Sequence, residues 1–239
     1  MEINNYFNGS SSQYQVDEKS TVYRKLMNKV YMWMTLALII TAVTAYGVAK
    51  SPVLSDLVFS SMKSVILIMI AELALVFYLT ARINKLSLTA ATFSFIIYSI
   101  LNGLTLSLIF AIYKIDVIVQ TFFITAGTFA TMALIGIFIK KDLSKFGKIF
   151  MMALIGLIIA SVVNIFFYNS MLNLVISYGG VIIFVGLTAW DSQKIKKLLE
   201  NAPDASEEVQ KIALMGALTL YLDFINLFIY LLRILGFKR

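Results

Sequence analysis

The sequence predicts an all-α polytopic membrane protein, a bundle of seven transmembrane helices with the C-terminal helix at its centre. Three observations predict it. The 239-residue chain is 60% hydrophobic with mean hydropathy +0.87, whereas a soluble domain is nearer half apolar. Its apolar residues fall into long continuous runs, not the short alternating segments of an outer-membrane barrel. Only two prolines and twelve glycines interrupt them, which suits long helices.

Residues 1–23 are polar, rich in Asn, Ser, Gln and Tyr, and lack the apolar core of a signal peptide; they read as a flexible cytoplasmic tail. Residues 24–239 read as the transmembrane domain. The first span, about Tyr31–Ala49, follows the basic stretch of Arg24, Lys25 and Lys29. The second, Val65–Ala81, carries Glu72 and ends at Arg82. The third, Leu88–Ile112, carries Asn102 and Thr105, and the fourth is Val117–Ile139. The fifth, Ile149–Tyr168, carries Ser161 and Asn164. The sixth, Leu172–Trp190, runs into Asp191 and a cluster of lysines. The seventh, Ile212–Leu235, contains Asp223. Each is long enough to cross a ~30 Å hydrocarbon core at about 1.5 Å per residue, some with tilt. Most connections are short, so neighbours should be antiparallel. The longest, Asp191–Lys211, is charged.

Loop charges orient the bundle. With the N-terminus inside, the inner side collects fourteen of the twenty lysines and arginines, among them Lys29, Arg82, Lys140, Lys194 and Lys211. The outer side collects three, Lys50, Lys63 and Lys114. That asymmetry places the N-terminus in the cytoplasm. Arg233, Lys238 and Arg239 lie outside if the seventh segment crosses fully, and need not if it is re-entrant.

The chain has no cysteine and no histidine, which removes disulfides, thiolate nucleophiles, Cys/His zinc sites and histidine-based triads. No Walker, EF-hand or dinucleotide glycine motif appears, and no GxGD-type motif surrounds either aspartate. The chain therefore reads as a non-enzyme without a cofactor. Its net charge of +7 sits mostly in the loops and lacks the basic and aromatic groove of a nucleic-acid binder.

Ionisable residues inside a membrane are costly, by roughly 2.5–3.5 kcal/mol at mid-helix, and so mark candidate sites. In the seventh segment Gly216, Thr219, Asp223, Asn226, Tyr230 and Arg233 share one helix face, opposite Leu, Ile and Phe. Such a stripe must face protein or water; it suits a polar path and equally suits helix–helix packing. A helix carrying Asp223 is better hidden by six others than exposed to lipid. Asp191, if its helix continues to the lysines, lies one to two turns inside the cytoplasmic boundary, a depth that Asp223 can share. Two close carboxyls cannot both ionise freely and so can form a proton-sensitive latch. The same spacing also fits a lone Asp191 at a solvated helix end, neutralised by Lys194. Arg82 can pair with either aspartate or serve as an ordinary positive-inside anchor. Glu72, Asn102 and Thr105 are candidates to line the interior, as are Ser161 and Asn164, or to pack the helices by hydrogen bonding.

Three stretches, ILNGLTLSLIFAIY (100–113), TAWDSQKIKK (188–197) and ALTLYLDFINLFIYLLRILG (217–236), together resemble the Bax inhibitor family, also called the transmembrane Bax inhibitor motif family. ELALVFYLTARINKLS (72–87) resembles its second helix and following loop, so the likeness covers roughly residues 20–239. The compact length suggests a bacterial member, in the plasma membrane. The resemblance implies two three-helix layers around a central C-terminal helix and a pH-sensitive calcium leak. It implies that Asp191 and Asp223 form the proton sensor, that Arg82 exchanges with the pair, and that Glu72 matches an acid of the second helix. Trp190 stands where the family commonly has Tyr.

The expected mechanism is a two-state gate. A hydrogen bond between Asp191 and Asp223 holds the cytoplasmic end of the central helix. A change in protonation, or capture of Asp191 by Arg82, opens a polar path past Asn226 toward Glu72 and Asn102. Ca²⁺ prefers several oxygen ligands, so Asp191 and Asp223 are expected to hold it only in transit. The expected partners are the lipid bilayer, Ca²⁺ and protons. The alternative is a non-conducting membrane protein that modulates stress responses or a membrane protease; a proton-coupled solute transporter is a third reading.

Overall fold

A computed structural model describes the backbone of residues 3–236 and the side chains from Ser20 onward. It is helical, with no strand among the described residues. The helices are α1 (Ile3–Lys50), α2 (Pro52–Phe59), α3 (Met62–Arg82), α4 (Leu88–Leu106), α5 (Ile109–Ile112), α6 (Ile115–Phe138), α7 (Ser144–Phe166), α8 (Ser170–Glu200) and α9 (Glu207–Gly236). Seven stretches are long and apolar enough to cross a membrane: α1 from Ser20, α3, the α4–α5 pair, α6, α7, α8 and α9. The tail expected over residues 1–23 lies, up to residue 19, outside the described side chains.

Local sequence sets most helix starts. Side chains of Ser61, Ser87 and Asn169 accept from the backbone N–H groups of Ser64, Ala90 and Leu172 at 3.2, 3.2 and 3.1 Å. These cap α3, α4 and α8, satisfying donors that have no partner within the helix. The third span breaks near its end, where the Ser107 hydroxyl donates to the Leu104 carbonyl at 2.6 Å and the chain restarts as α5. A local side-chain bond of this kind competes with the helical ladder.

Two boundaries correct the expected ones. α8 continues ten residues beyond Trp190, and α9 begins five residues before Ile212. The long Asp191–Lys211 connection therefore shrinks to residues 201–206. Nothing between Asp191 and Glu200 breaks a helix; Asn201 ends it, and Pro203 cannot continue it.

The helices form two groups of three. α3 packs on α4 and α4 on α1; α7 packs on α8 and α8 on α6. α9 lies between the groups, against α8, α1, α6 and α4. Its most apolar window is 67% buried, against at most 39% for any other span, which makes it the central helix. α3 and α7, with 6% buried each, are the outermost.

Ring contacts fill the core around α9. Tyr221 packs edge-on against Phe95 and Tyr98, and Phe224 against Phe122 and Phe129. The Tyr221 hydroxyl shares a 2.7 Å hydrogen bond with Thr41, whose hydroxyl also reaches the Ser99 carbonyl at 2.9 Å. Small residues let the other group close. A Cβ on Gly136 would collide with the Ala189 carbonyl, and one on Gly180 would enter the Tyr230 ring.

Candidate functional site

α8 and α9 run antiparallel, and their contacts fix the register. Ile195 lies against Gly216, and Gly180 against Tyr230. In that register Asp191 is level with Thr219 and Leu220, and Asp223 is about one turn further, roughly 5 Å along the axis. Both aspartates are buried, 6% and 5% exposed. They line one cavity of about 440 Å³ with Thr219, Leu222, Asn226 and Tyr230 of α9, Trp190 and Lys194 of α8, and Met151, Leu154 and Ile158 of α7. The structure thus brings Asp191, Asp223 and Asn226 together.

Asp191 is no solvated helix end. The continuation of α8 buries it, and no ammonium lies within ion-pairing distance among the described residues. The Lys194 ammonium sits instead over the Trp190 ring, 5.1 Å from its centroid. Asp223 Oδ2 is buried without a hydrogen-bond partner among the described residues. Buried polar atoms are nearly always satisfied, so the unpartnered carboxyl oxygen at the cavity wall makes Asp223 a candidate site residue.

The other members of the α9 stripe are partly self-satisfied. The Thr219 hydroxyl donates to the Met215 carbonyl at 3.0 Å, and the Asn226 amide to that of Leu222 at 2.8 Å. Tyr230 stacks on Phe184 at 5.8 Å, with the Arg233 guanidinium 5.4 Å from its ring centre.

Glu72 and Asn102 form a separate cluster. The Asn102 amide donates to Glu72, and the Thr105 hydroxyl donates to its other oxygen at 3.0 Å, joining α3 to α4. Neither residue lines the Asp191–Asp223 cavity. Ser161 bonds back to the Leu157 carbonyl, and Asn164 accepts from the Asn169 backbone at the α7–α8 turn. Arg82 stands at a rim: its neighbours Ile83 and Asn84 line a second cavity, but its own side chain is exposed and forms no ion pair among the described residues. The structure does not bring it to the aspartates.

The residues after Asp191 have work that the sequence alone did not reveal. Gln193, 5% exposed, accepts from the Leu143 N–H at 2.8 Å and donates to the Lys141 carbonyl at 2.9 Å. Lys196 donates to the Ile137 carbonyl at 2.9 Å, and Lys197 pairs with Asp142 at 2.6 Å. The Lys197 ammonium, with the Ser144 hydroxyl and amide, holds the Asp142 carboxyl down at about 2, so it is ionised at any physiological pH. α9 makes the mirror arrangement with the other group. Glu207 accepts from the Leu88 N–H at 2.7 Å, and Lys211 donates to the Leu86 carbonyl at 3.2 Å. α8 is therefore fastened to a loop of its own three-helix group, and α9 to a loop of the other.

As oxygen donors for a cation the cavity offers Asp191, Asp223 and the Asn226 carboxamide. Among the described residues no three acidic, His or Cys side chains cluster. That donor set is short of the six to eight oxygens that Ca²⁺ prefers.

The family described as "Inhibitor of apoptosis-promoting Bax1" matches residues 23–239. The chain is 47% identical over 214 residues to inner membrane protein YbhL of Escherichia coli K12, covering 89% of this chain and 92% of the relative. It is 43% identical over 225 residues to an uncharacterized protein of Borreliella burgdorferi, covering 94% and 97%. It is 42% identical over 217 residues to uncharacterized protein RP147 of Rickettsia prowazekii, covering 90% and 91%.

Proposed function

This chain belongs to the Bax inhibitor family, and on that premise we propose that it is a pH-sensitive calcium-leak channel of a bacterial inner membrane, gated by Asp191 and Asp223. One observation carries the reading: two buried carboxyls, one turn apart on packed helices, share a cavity and form no ion pair among the described residues. The inner-membrane assignment follows the name of the Escherichia coli relative and the seven spans. The loop charges put the N-terminus and the Asp191 end in the cytoplasm.

No hydrogen bond joins the two carboxyls among the described residues; the latched state is the one in which a shared proton joins α8 to α9. Two carboxyls this close carry one negative charge more readily than two, so proton exchange changes how strongly the helices hold together. The change is passed outward, because α8 grips the α6–α7 loop and α9 grips the α3–α4 loop. A differential of a few kcal/mol is enough to shift such a two-state equilibrium. Ca²⁺ is the cargo, and the aspartates with Asn226 give it weak oxygen ligands on the way. No step needs a cofactor or catalytic chemistry.

The test is Ca²⁺ uptake into proteoliposomes across a pH series. Flux from the pure protein should vary with pH, and Asp191→Asn and Asp223→Asn should each remove that variation. If both variants keep the flux and its pH response, the latch is wrong. If pure protein carries no Ca²⁺ flux at any pH, the channel reading fails in favour of a non-conducting interaction protein or a solute transporter.

A further inference from the structure

Two cavities meet along the half-exposed face of α9. One, of about 290 Å³, opens at the α8–α9 loop end between α3, α8 and α9. The other is the aspartate cavity. Asp191, Lys194 and Thr219 line both, so the two make one cleft. The cleft is open sideways, because α3 packs on α4 and α7 on α8 without either covering α9. In a bilayer, lipid occupies that side.

The lining is graded. At the mouth stand two ammoniums, Lys194, which is exposed, and Lys211, which is half-buried. Lys211 uses one donor on the Leu86 carbonyl and has two more. Deeper in, Leu222 and the α7 side chains Met151 and Leu154 make an apolar wall that faces Asp223 and Asn226 of α9. The large cavities on the opposite side, between α1 and α6, have no charged residue in their lining. An amphiphile with an anionic head and an apolar tail matches the two ammoniums at the mouth and the apolar α7 wall within.

We propose that this cleft binds one anionic phospholipid, its phosphate between Lys194 and Lys211 and an acyl chain lying along α9 between α3 and α7. The consequence for gating rests on the calcium-leak reading; the lipid site itself does not. Two ammoniums at the mouth repel an approaching Ca²⁺. A lipid phosphodiester, with its single negative charge, offsets one of them and draws Lys194 off the Trp190 ring, so the anionic lipid content of the membrane sets access to the aspartate pair.

Trp190 lines the cleft and is one of only two tryptophans. A Trp33→Phe variant leaves it as the sole fluorophore. That variant is reconstituted in phosphatidylcholine vesicles with rising fractions of phosphatidylglycerol or phosphatidylcholine brominated in the acyl chains. Brominated phosphatidylglycerol should quench Trp190 at a roughly thirtyfold lower mole fraction, the factor expected of two basic residues at a membrane surface. Adding Lys194→Gln and Lys211→Gln should abolish the difference. Adding Lys145→Gln and Lys148→Gln, lysines outside the cleft, should leave it intact. Equal quenching by the two lipids, a preference that survives Lys194→Gln with Lys211→Gln, or one lost with the control pair overturns the proposal. Equal quenching with an emission change on adding inorganic phosphate would assign the mouth to a free anion and overturn the lipid. Because no flux is measured, the lipid site and the calcium leak can fail independently.

Discussion

Gln193 shows how a single side chain holds the frame around the aspartates. It is buried two residues past Asp191 and satisfies a donor and an acceptor of the α6–α7 loop. Gln193→Leu keeps the bulk but leaves both backbone groups without a partner. Both bonds are part-buried, and a net hydrogen bond is worth about 0.5–1.5 kcal/mol, so the variant should lose about 1 kcal/mol or more of stability to unfolding in detergent micelles. A loss below about 0.5 kcal/mol would mean that solvent already reaches the loop. Asp223 was legible in the sequence because a carboxyl in an apolar run is expensive wherever it points; Asp191, just past its run, was singled out by the family resemblance. Gln193 was not, since an amide near a helix end is ordinary and its partners lie about fifty positions away. Tyr221 was hidden for the same reason: its Thr41 partner is 180 positions distant.

At the scale of the helices, the α6–α8 contact sets the position of Asp191. Gly136 abuts the Ala189 carbonyl, two residues before the aspartate, so a methyl group there must push the backbones apart. Gly136→Ala should therefore destabilise by about 1–3 kcal/mol, the range for overpacking a filled interface. Gly156→Ala is the control, because nothing lies within 4 Å of the added carbon. It should be neutral or gain up to about 1 kcal/mol from helix propensity. Equal effects of the two changes in denaturant unfolding would show that α6 and α8 are not closely packed. The spans themselves were readable from hydropathy, and so was the seventh as a central helix, because a stripe holding a carboxyl needs cover. Helix ends at the polar boundary were not readable. Apolar length ends where the lipid ends, whereas α8 continues until Asn201 and Pro203 stop it.

For the whole molecule, the course of α9 decides the topology. Glu207 bonds the Leu88 backbone at the start of α4, and Gly236 meets the Tyr113 ring at the far turn before α6. α9 therefore runs from one end of the bundle to the other, and at 30 residues it is about 45 Å long, more than the ~30 Å it must cross. The seventh helix is thus long and apolar enough to cross fully and runs the length of the bundle, and Arg233 lies at the end opposite the lysine-rich loops. Lys238 and Arg239 lie outside the described residues. Even with all three counted on the far side, fourteen cations face six, so the orientation argument survives. The chain has no cysteine, so single introduced thiols report sidedness without background. Lys63→Cys, exposed at the α2–α3 end, should react with a membrane-impermeant maleimide on intact bacterial spheroplasts. Ala205→Cys, exposed in the α8–α9 loop, should react only after permeabilisation. The reverse pattern would put the mouth of the aspartate cleft on the outer face, exposing the carboxyl pair to external pH in place of cytoplasmic pH.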